Sequence, residues 1–179
     1  MIKRELYMNR IRPFIGGELI KVMTGIRRSG KSVMLELIKE ELAEAGVAPS
    51  QMISINFEDM RYSHLQTATA LHDEIIKRAE GIEGKAYLFF DEIQEVEGWE
   101  KCVNSLRVAL DCDIYITGSN AKLLSGELAT YIGGRYVEFV IYPFSFAEFL
   151  ELYHTIAPSD SIQQCFQKYL LAGGMPYLA

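Results

Sequence analysis

Cysteine and histidine are scarce in this chain, and neither is spaced for chemistry. The three cysteines among 179 residues (Cys102, Cys112, Cys165) form no CxxC pair. An odd, scattered set supports neither a disulfide framework nor a zinc site. The three histidines (His64, His72, His154) form no HExxH-like pattern, so surface or helix-packing roles are expected rather than a structural metal. No apolar run approaches the ~18–20 residues of a membrane span. The opening MIKRELYMNRIRPF is too broken by charge to hold the apolar core of a signal peptide. The chain therefore reads as cytoplasmic. Internal repeats and low-complexity segments are also missing.

What is present has the balance of a soluble globular protein, 49% hydrophobic and 23% charged, with enough residues for one domain and a sizeable core. The net charge of −6 disfavours a broad nucleic-acid-binding face. The charge is unevenly spread: residues 1–31 carry eight basic and two acidic side chains, +6, and the remainder carries −12. A local positive field of this kind suits an anionic ligand, and a solvated basic arm has the same composition.

Five short apolar runs read as strands: residues 19–24, 52–57, 86–90, 113–117 and 136–142. Several are apolar nearly throughout, as in strands buried on both faces of a parallel sheet. Helical spacing appears between them. Residues 32–46 place Met34, Leu35, Ile38, Leu42 and Ala45 on one face and end at Gly46. Residues 63–81 and 98–110 continue the pattern, the latter with Trp99, Val103, Leu106 and Leu110. Alternating strands and helices predict an α/β fold with a parallel five-stranded sheet and helices on both faces. After Pro143 the alternation stops, and 144–154 and 161–174 read as two helices without an intervening strand. The expected organisation is a core over 1–143 and the beginning of a helical lid over 144–179, cut short in a natural protein that is longer.

GIRRSGKS matches G-x-x-x-x-G-K-[ST] at Gly25, Gly30, Lys31 and Ser32. The match follows a predicted strand and opens a predicted helix, the context a phosphate-gripping loop requires. Glycines let successive N–H groups turn inward without a clashing Cβ, and the helix N-terminus adds its own unpaired donors. Lys31 can reach β- and γ-phosphates, and the Ser32 hydroxyl can ligate Mg²⁺. The candidate nucleotide-binding set is Gly25, Ile26, Arg27, Arg28, Ser29, Gly30, Lys31, Ser32 and Val33. Arg27 and Arg28 occupy variable positions of the loop, where they either touch a phosphate or a neighbouring subunit or face solvent. AYLFFDEIQ supplies the acids. Asp91 ends a strand where open α/β sheets bind ligands and is the second Mg²⁺ candidate, through a coordinated water. Glu92 is then placed to orient and polarise a water for in-line attack.

Glu directly after Asp resembles the additional-strand, catalytic-glutamate branch of P-loop ATPases. Further matches narrow the likeness: IRPFI, IKVMTGIRRSGKS, INFED, YLFFDEIQ, ITGSNAKLL, GGRYVEF, YPFSFAEFL and GGMP. In order and spacing these resemble the AAA-type ATPases of bacteria and archaea called AAA_14, which usually carry a further C-terminal domain of unknown function (DUF4143). The resemblance implies ATP and Mg²⁺ as ligands and hydrolysis that drives a conformational change in that C-terminal domain. It implies Asn120, with Ser119 second, as the polar sensor on the strand between the loop strand and the DE strand. It implies Arg135 as an arginine finger acting in trans within a homo-oligomer, and Pro176 of Gly174–Met175–Pro176 as a contact to the base. Position alone suggests Arg10, Arg12, Pro13 and Phe14 as the adenine wall. The alternative activity is a nucleotide-dependent switch with negligible turnover. A small-molecule kinase fits less well, because the DE pair counts against it.

Overall fold

The computed structural model describes residues 2–119, 123, 132–156 and 160–175. The elements are α1 (Glu5–Ile11), β1 (Ile20–Thr24), α2 (Lys31–Glu44), β2 (Met52–Asn56), α3 (Ala68–Ala79), β3 (Ala86–Asp91), α4 (Trp99–Ala109), β4 (Cys112–Thr117), β5 (Tyr136–Val140), α5 (Phe146–Ile156) and α6 (Ile162–Ala172). The strands form one sheet in the order β2-β3-β4-β1-β5, and every neighbouring pair is parallel.

Each strand feeds two cores because successive side chains point to opposite faces. In β3, Leu88 and Phe90 join Leu71 and Ile75 of α3 and Trp99, Val103 and Leu106 of α4. Phe89, between them, joins Tyr7 and Met8 of α1 and Met34, Ile38 and Leu42 of α2 on the other face. Phe89 also stacks on Tyr115 of β4, with ring centroids 4.9 Å apart. Helices on both faces explain why these strands are apolar almost throughout. Burying one such side chain stabilises the fold by about 1.5–3 kcal/mol. No helix among the described residues is long and apolar enough to cross a membrane.

Element boundaries depart from the expected ones for local reasons. α1 spans less than two turns amid charge, too short to show a periodic pattern, yet Tyr7, Met8 and Ile11 are buried. α3 starts after Thr67, whose Oγ1 accepts the N–H of Ala70 at 3.3 Å, while Ser63 lies in a 3-10 turn over Met60–Leu65. β5 ends at Val140 because its partner β1 ends at Thr24, whose carbonyl accepts the N–H of Ile141 at 2.7 Å. Gly46 (φ 92°) does close α2. Beyond β5, α5 and α6 pack through Phe149 against Tyr169 and Phe146 against Phe166, with centroids 5.3 and 5.1 Å apart.

Candidate phosphate-binding site

β1 hands the chain to the loop at Gly25, and α2 takes it back at Lys31. Gly25 has φ 147°, and a Cβ there would sit 2.2 Å from the Ile141 carbonyl oxygen, so only glycine fits between the loop and the end of β5. Gly30, at φ 97°, makes the left-handed step that starts α2. The N–H of Ser29 closes the turn onto the Ile26 carbonyl at 3.2 Å. The Ser29 hydroxyl is buried with no hydrogen-bond partner among the described residues. Lys31 is buried, and its ammonium donates to the Gly25 and Ile26 carbonyls at 3.4 and 3.3 Å. The same ammonium lies 3.7 Å from Glu92 Oε1.

The acids reach the loop from the ends of β3 and β4. Asp91 is buried; burial pushes its pKa up, and hydrogen bonds from Thr117 and Ser32 pull it the other way without reversing the shift. Glu92 follows in a left-handed conformation (φ 54°, ψ 48°), disfavoured for a side chain other than glycine. Thr117 holds both residues: its Oγ1 donates to Asp91 Oδ1 at 2.5 Å and accepts the Glu92 N–H at 3.0 Å. Gln94 Nε2 donates to Glu92 Oε2 at 2.5 Å.

Lys31, Ser32, Glu92 and Gln94 border two adjoining clefts, while Asp91 and Thr117 lie behind them, lining neither. The larger, about 500 Å³, is lined by Arg27, Arg28, Gly30, Lys31, Ser32, Val33, Glu58 and Glu92, and its volume is that of an ordinary small-ligand site. The smaller, about 190 Å³, adds Gln94 and Ser119. Arg27 and Arg28 are both exposed at the rim, and Arg27 lies 3.8 Å from Glu58. A bound anion there would meet two arginines, a buried lysine and the N-terminus of a 14-residue helix.

Not every expected residue converges. Asn120 and Pro176 lie outside the described residues. Arg135 precedes β5 and sits at the opposite end of the sheet, where its Nη1 donates to Asn104 Oδ1 at 3.0 Å. The five residues of β5, at roughly 3.3 Å each, put about 17 Å between Arg135 and the loop end. It therefore cannot serve its own loop. Residues 10–14 line neither cleft. Arg12 instead pairs with Glu5 and Glu41, and Phe14 packs edge-on to Phe139. Thr117 and Gln94 were not singled out by the sequence. Both stand in quoted motifs, but their contacts depend on strand register and on the turn after β3.

Comparison with known proteins agrees with this architecture. A family model described as an AAA domain, AAA_14, matches residues 18–150. An uncharacterised protein of Haemophilus influenzae is 44% identical over 176 residues, covering 98% of this chain and 44% of that protein. An uncharacterised protein of Methanocaldococcus jannaschii, MJ1544, is 36% identical over 166 residues, covering 88% of this chain and 35% of that protein. The chain thus spans less than half the length of the curated relatives it matches. Among solved structures, AMPPCP-bound DnaA from Aquifex aeolicus superposes with a TM-score of 0.63 at 14% identity, over 99% of this chain and 58% of that one. A Thermotoga maritima RuvB mutant superposes with a TM-score of 0.56 at 16% identity, over 98% of this chain and 57% of that one. At such identities the likeness is one of fold. With the family match covering most of its length, the chain belongs to the AAA_14 family of AAA domains, P-loop proteins of the AAA+ fold.

Proposed function

We propose that this chain binds Mg-ATP at the Gly25–Ser32 loop and hydrolyses its β–γ phosphoanhydride. One observation carries the reading: the fold brings Lys31 and Ser32 from the loop against Asp91 and Glu92 from β3, with Lys31 3.7 Å from Glu92 and the Ser32 hydroxyl near enough to Asp91 to oppose the rise in its pKa. The residues suit the ligand. The two glycines open a backbone cradle that a Cβ would fill, and a hydroxyl beside a buried carboxylate is hard-oxygen chemistry suited to magnesium.

In this reading the loop N–H groups and the Lys31 ammonium hold the phosphates. Ser32 and Asp91 would hold a magnesium ion, which would supply charge neutralisation for the phosphates. Glu92 orients a water in line with the γ-phosphorus and accepts its proton as the new P–O bond forms and the bond to the ADP oxygen breaks. Thr117 keeps Asp91 and the Glu92 backbone in place for this. Asn120 supplies the sensor contact and Pro176 the contact to the base. Arg135, too far from its own loop, completes the site of a neighbouring copy in a homo-oligomer.

Residues 1–143 form the ATPase core, and α5 and α6 begin a lid over 144–179 whose movement is passed to a C-terminal effector domain. The protein works in the cytoplasm in this reading. Supporting it are the family membership and the fold shared with a structure bound to AMPPCP.

The test is phosphate release from Mg-ATP as a function of protein concentration, for wild type, Lys31→Ala and Glu92→Gln. Release that needs Lys31 and Glu92 and grows faster than linearly with concentration is expected, and mixing Arg135→Ala with Glu92→Gln then restores part of it. Equal rates in all three proteins would overturn the assignment. Tight binding with no release from any assembly would favour a switch.

A further inference from the structure

Arg4 stands in the charged N-terminal segment, yet its side chain has no exposed surface. Its guanidinium is planar, and three partners distant in sequence take its donors. Nε donates to Glu148 Oε1, Nη1 to the Ser29 carbonyl and Nη2 to the Tyr142 carbonyl, each at 2.8 Å. The rings of Tyr7 and Phe144 lie 4.6 and 5.1 Å from its Cζ. One side chain thus joins the phosphate loop, the residues following β5 and the first turn of α5. Arg4 itself has φ 44° and ψ 48°, disfavoured for a non-glycine residue and held by these directed bonds.

The contact with Ser29 bears on anion binding. The Ser29–Gly30 peptide is trans, so its carbonyl and its N–H point to opposite sides. Arg4 holds the carbonyl on the outer side of the loop. The Gly30 N–H then points away from Arg4, on a residue that lines the larger cleft. A Cβ on Gly30 would lie 3.1 Å from Arg4 Nη1, so the guanidinium also sets the room for this step of the chain.

The contact with Glu148 ties this arrangement to α5. Glu148 accepts from Arg4 and also from the Ser145 N–H and hydroxyl, at 2.8 and 3.0 Å, at the start of the helix. Ser145 Oγ returns the contact by accepting the Glu148 N–H at 3.3 Å. A shift of α5 therefore moves the carboxylate that anchors Arg4, and with it the restraint on the Ser29 carbonyl.

We propose that Arg4 is a positioning residue: it aims the Gly30 N–H at phosphate and, through Glu148, links phosphate occupancy to the placement of α5. The proposal rests on the phosphate-binding reading of the loop. Linkage is reciprocal, so ATP that favours the aimed loop also favours the docked helix.

Hydrogen exchange read by mass spectrometry tests it in the full chain, with and without saturating Mg-ATP. The proteins are wild type, Lys31→Ala, Arg4→Lys and Glu148→Gln. Lysine keeps the charge but cannot span three partners, and glutamine keeps an acceptor but loses the ion pair. In wild type, Mg-ATP is expected to slow exchange in the loop and in 146–156. In Arg4→Lys and Glu148→Gln the loop stays protected at saturation, the protection of 146–156 is lost, and the ATP Kd weakens about tenfold, one charge-assisted bond's worth. If Arg4→Lys does not fold, Glu148→Gln decides alone. Wild-type protection of 146–156 in both variants at equal occupancy overturns the proposal, as does its absence in wild type whose loop is protected. No ATP-dependent protection of the wild-type loop, with Lys31→Ala identical to it, instead overturns the phosphate-binding reading and the Arg4 role together.

Discussion

Two buried cation–carboxylate pairs sit at opposite ends of the sheet and are built on different plans. At the N-terminal edge, Lys21 of β1 bonds Asp113 of β4 and, at 3.1 Å, the Gly17 carbonyl. Asp113 also accepts from Tyr115 Oη at 2.7 Å and from the Gly16 N–H at 2.6 Å. All of these groups belong to adjacent strands or to the turn that enters β1. Burial pushes the Lys21 pKa down, and Asp113 opposes the shift without cancelling it. At the C-terminal edge, Arg4 and Glu148 join an N-terminal segment, a glycine loop and a helix outside the sheet. Burial pushes the Glu148 carboxyl up, but Arg4 and Ser145 outweigh it and leave the pKa below the usual value. Similar chemistry thus does two jobs. A pair confined to neighbouring strands can only hold them, whereas a pair spanning separate elements can transmit a change in one to another.

The largest predicted effect comes from breaking the pair inside the sheet. Lys21→Met leaves Asp113 buried without its cation and should lower the unfolding free energy by about 3–5 kcal/mol in urea titrations. The ATP affinity of the protein that stays folded should not change. An altered affinity would mean that the two ends of the sheet are not separate in function.

Thr117→Val sharpens the contrast at the ligand end. The shape is nearly kept, but the bonds to Asp91 and to the Glu92 N–H are lost. Phosphate release should fall about tenfold, one well-placed hydrogen bond's worth, with ATP binding changed less. Glu148→Gln should cost less than Lys21→Met, since glutamine keeps an acceptor for Arg4 and the Glu148 side chain retains 12% exposure where Lys21 and Asp113 have none. Thermal unfolding of the two single variants side by side gives that ranking directly.

The smallest effect is in pH dependence. The folded Glu148 pKa lies below its ordinary 4.5, so its contribution is complete above that value and is lost as pH falls through the folded pKa. The difference in melting temperature between wild type and Glu148→Gln should stay constant from neutral pH down to about 5 and shrink below about 4.5. A difference that instead grew on acidification would contradict the pairing.

How much of this was legible in the sequence follows from how far apart the cooperating residues are. The loop was readable because Gly25, Gly30, Lys31 and Ser32 are nearly contiguous, and the DE pair because an apolar strand leads into it. Thr117 was not, since its contact depends on β3 and β4 pairing with Phe90 opposite Ile116, a register that no local pattern encodes. Arg4 was still less accessible, because its partners are 25, 138 and 144 residues away. The remoteness of Arg135 follows from strand direction: it precedes β5 while the loop follows the parallel strand β1.

The most direct measurement of the central claim is an ATP-binding titration in the presence of Mg²⁺, comparing wild type, Lys31→Ala and Lys21→Met. Two buried lysines ten residues apart then report on the two ends of the sheet. Saturable binding that is lost in Lys31→Ala and kept in folded Lys21→Met is the predicted result. Equal binding by wild type and Lys31→Ala, or none by any of the three, would contradict a phosphate site at the Gly25–Ser32 loop.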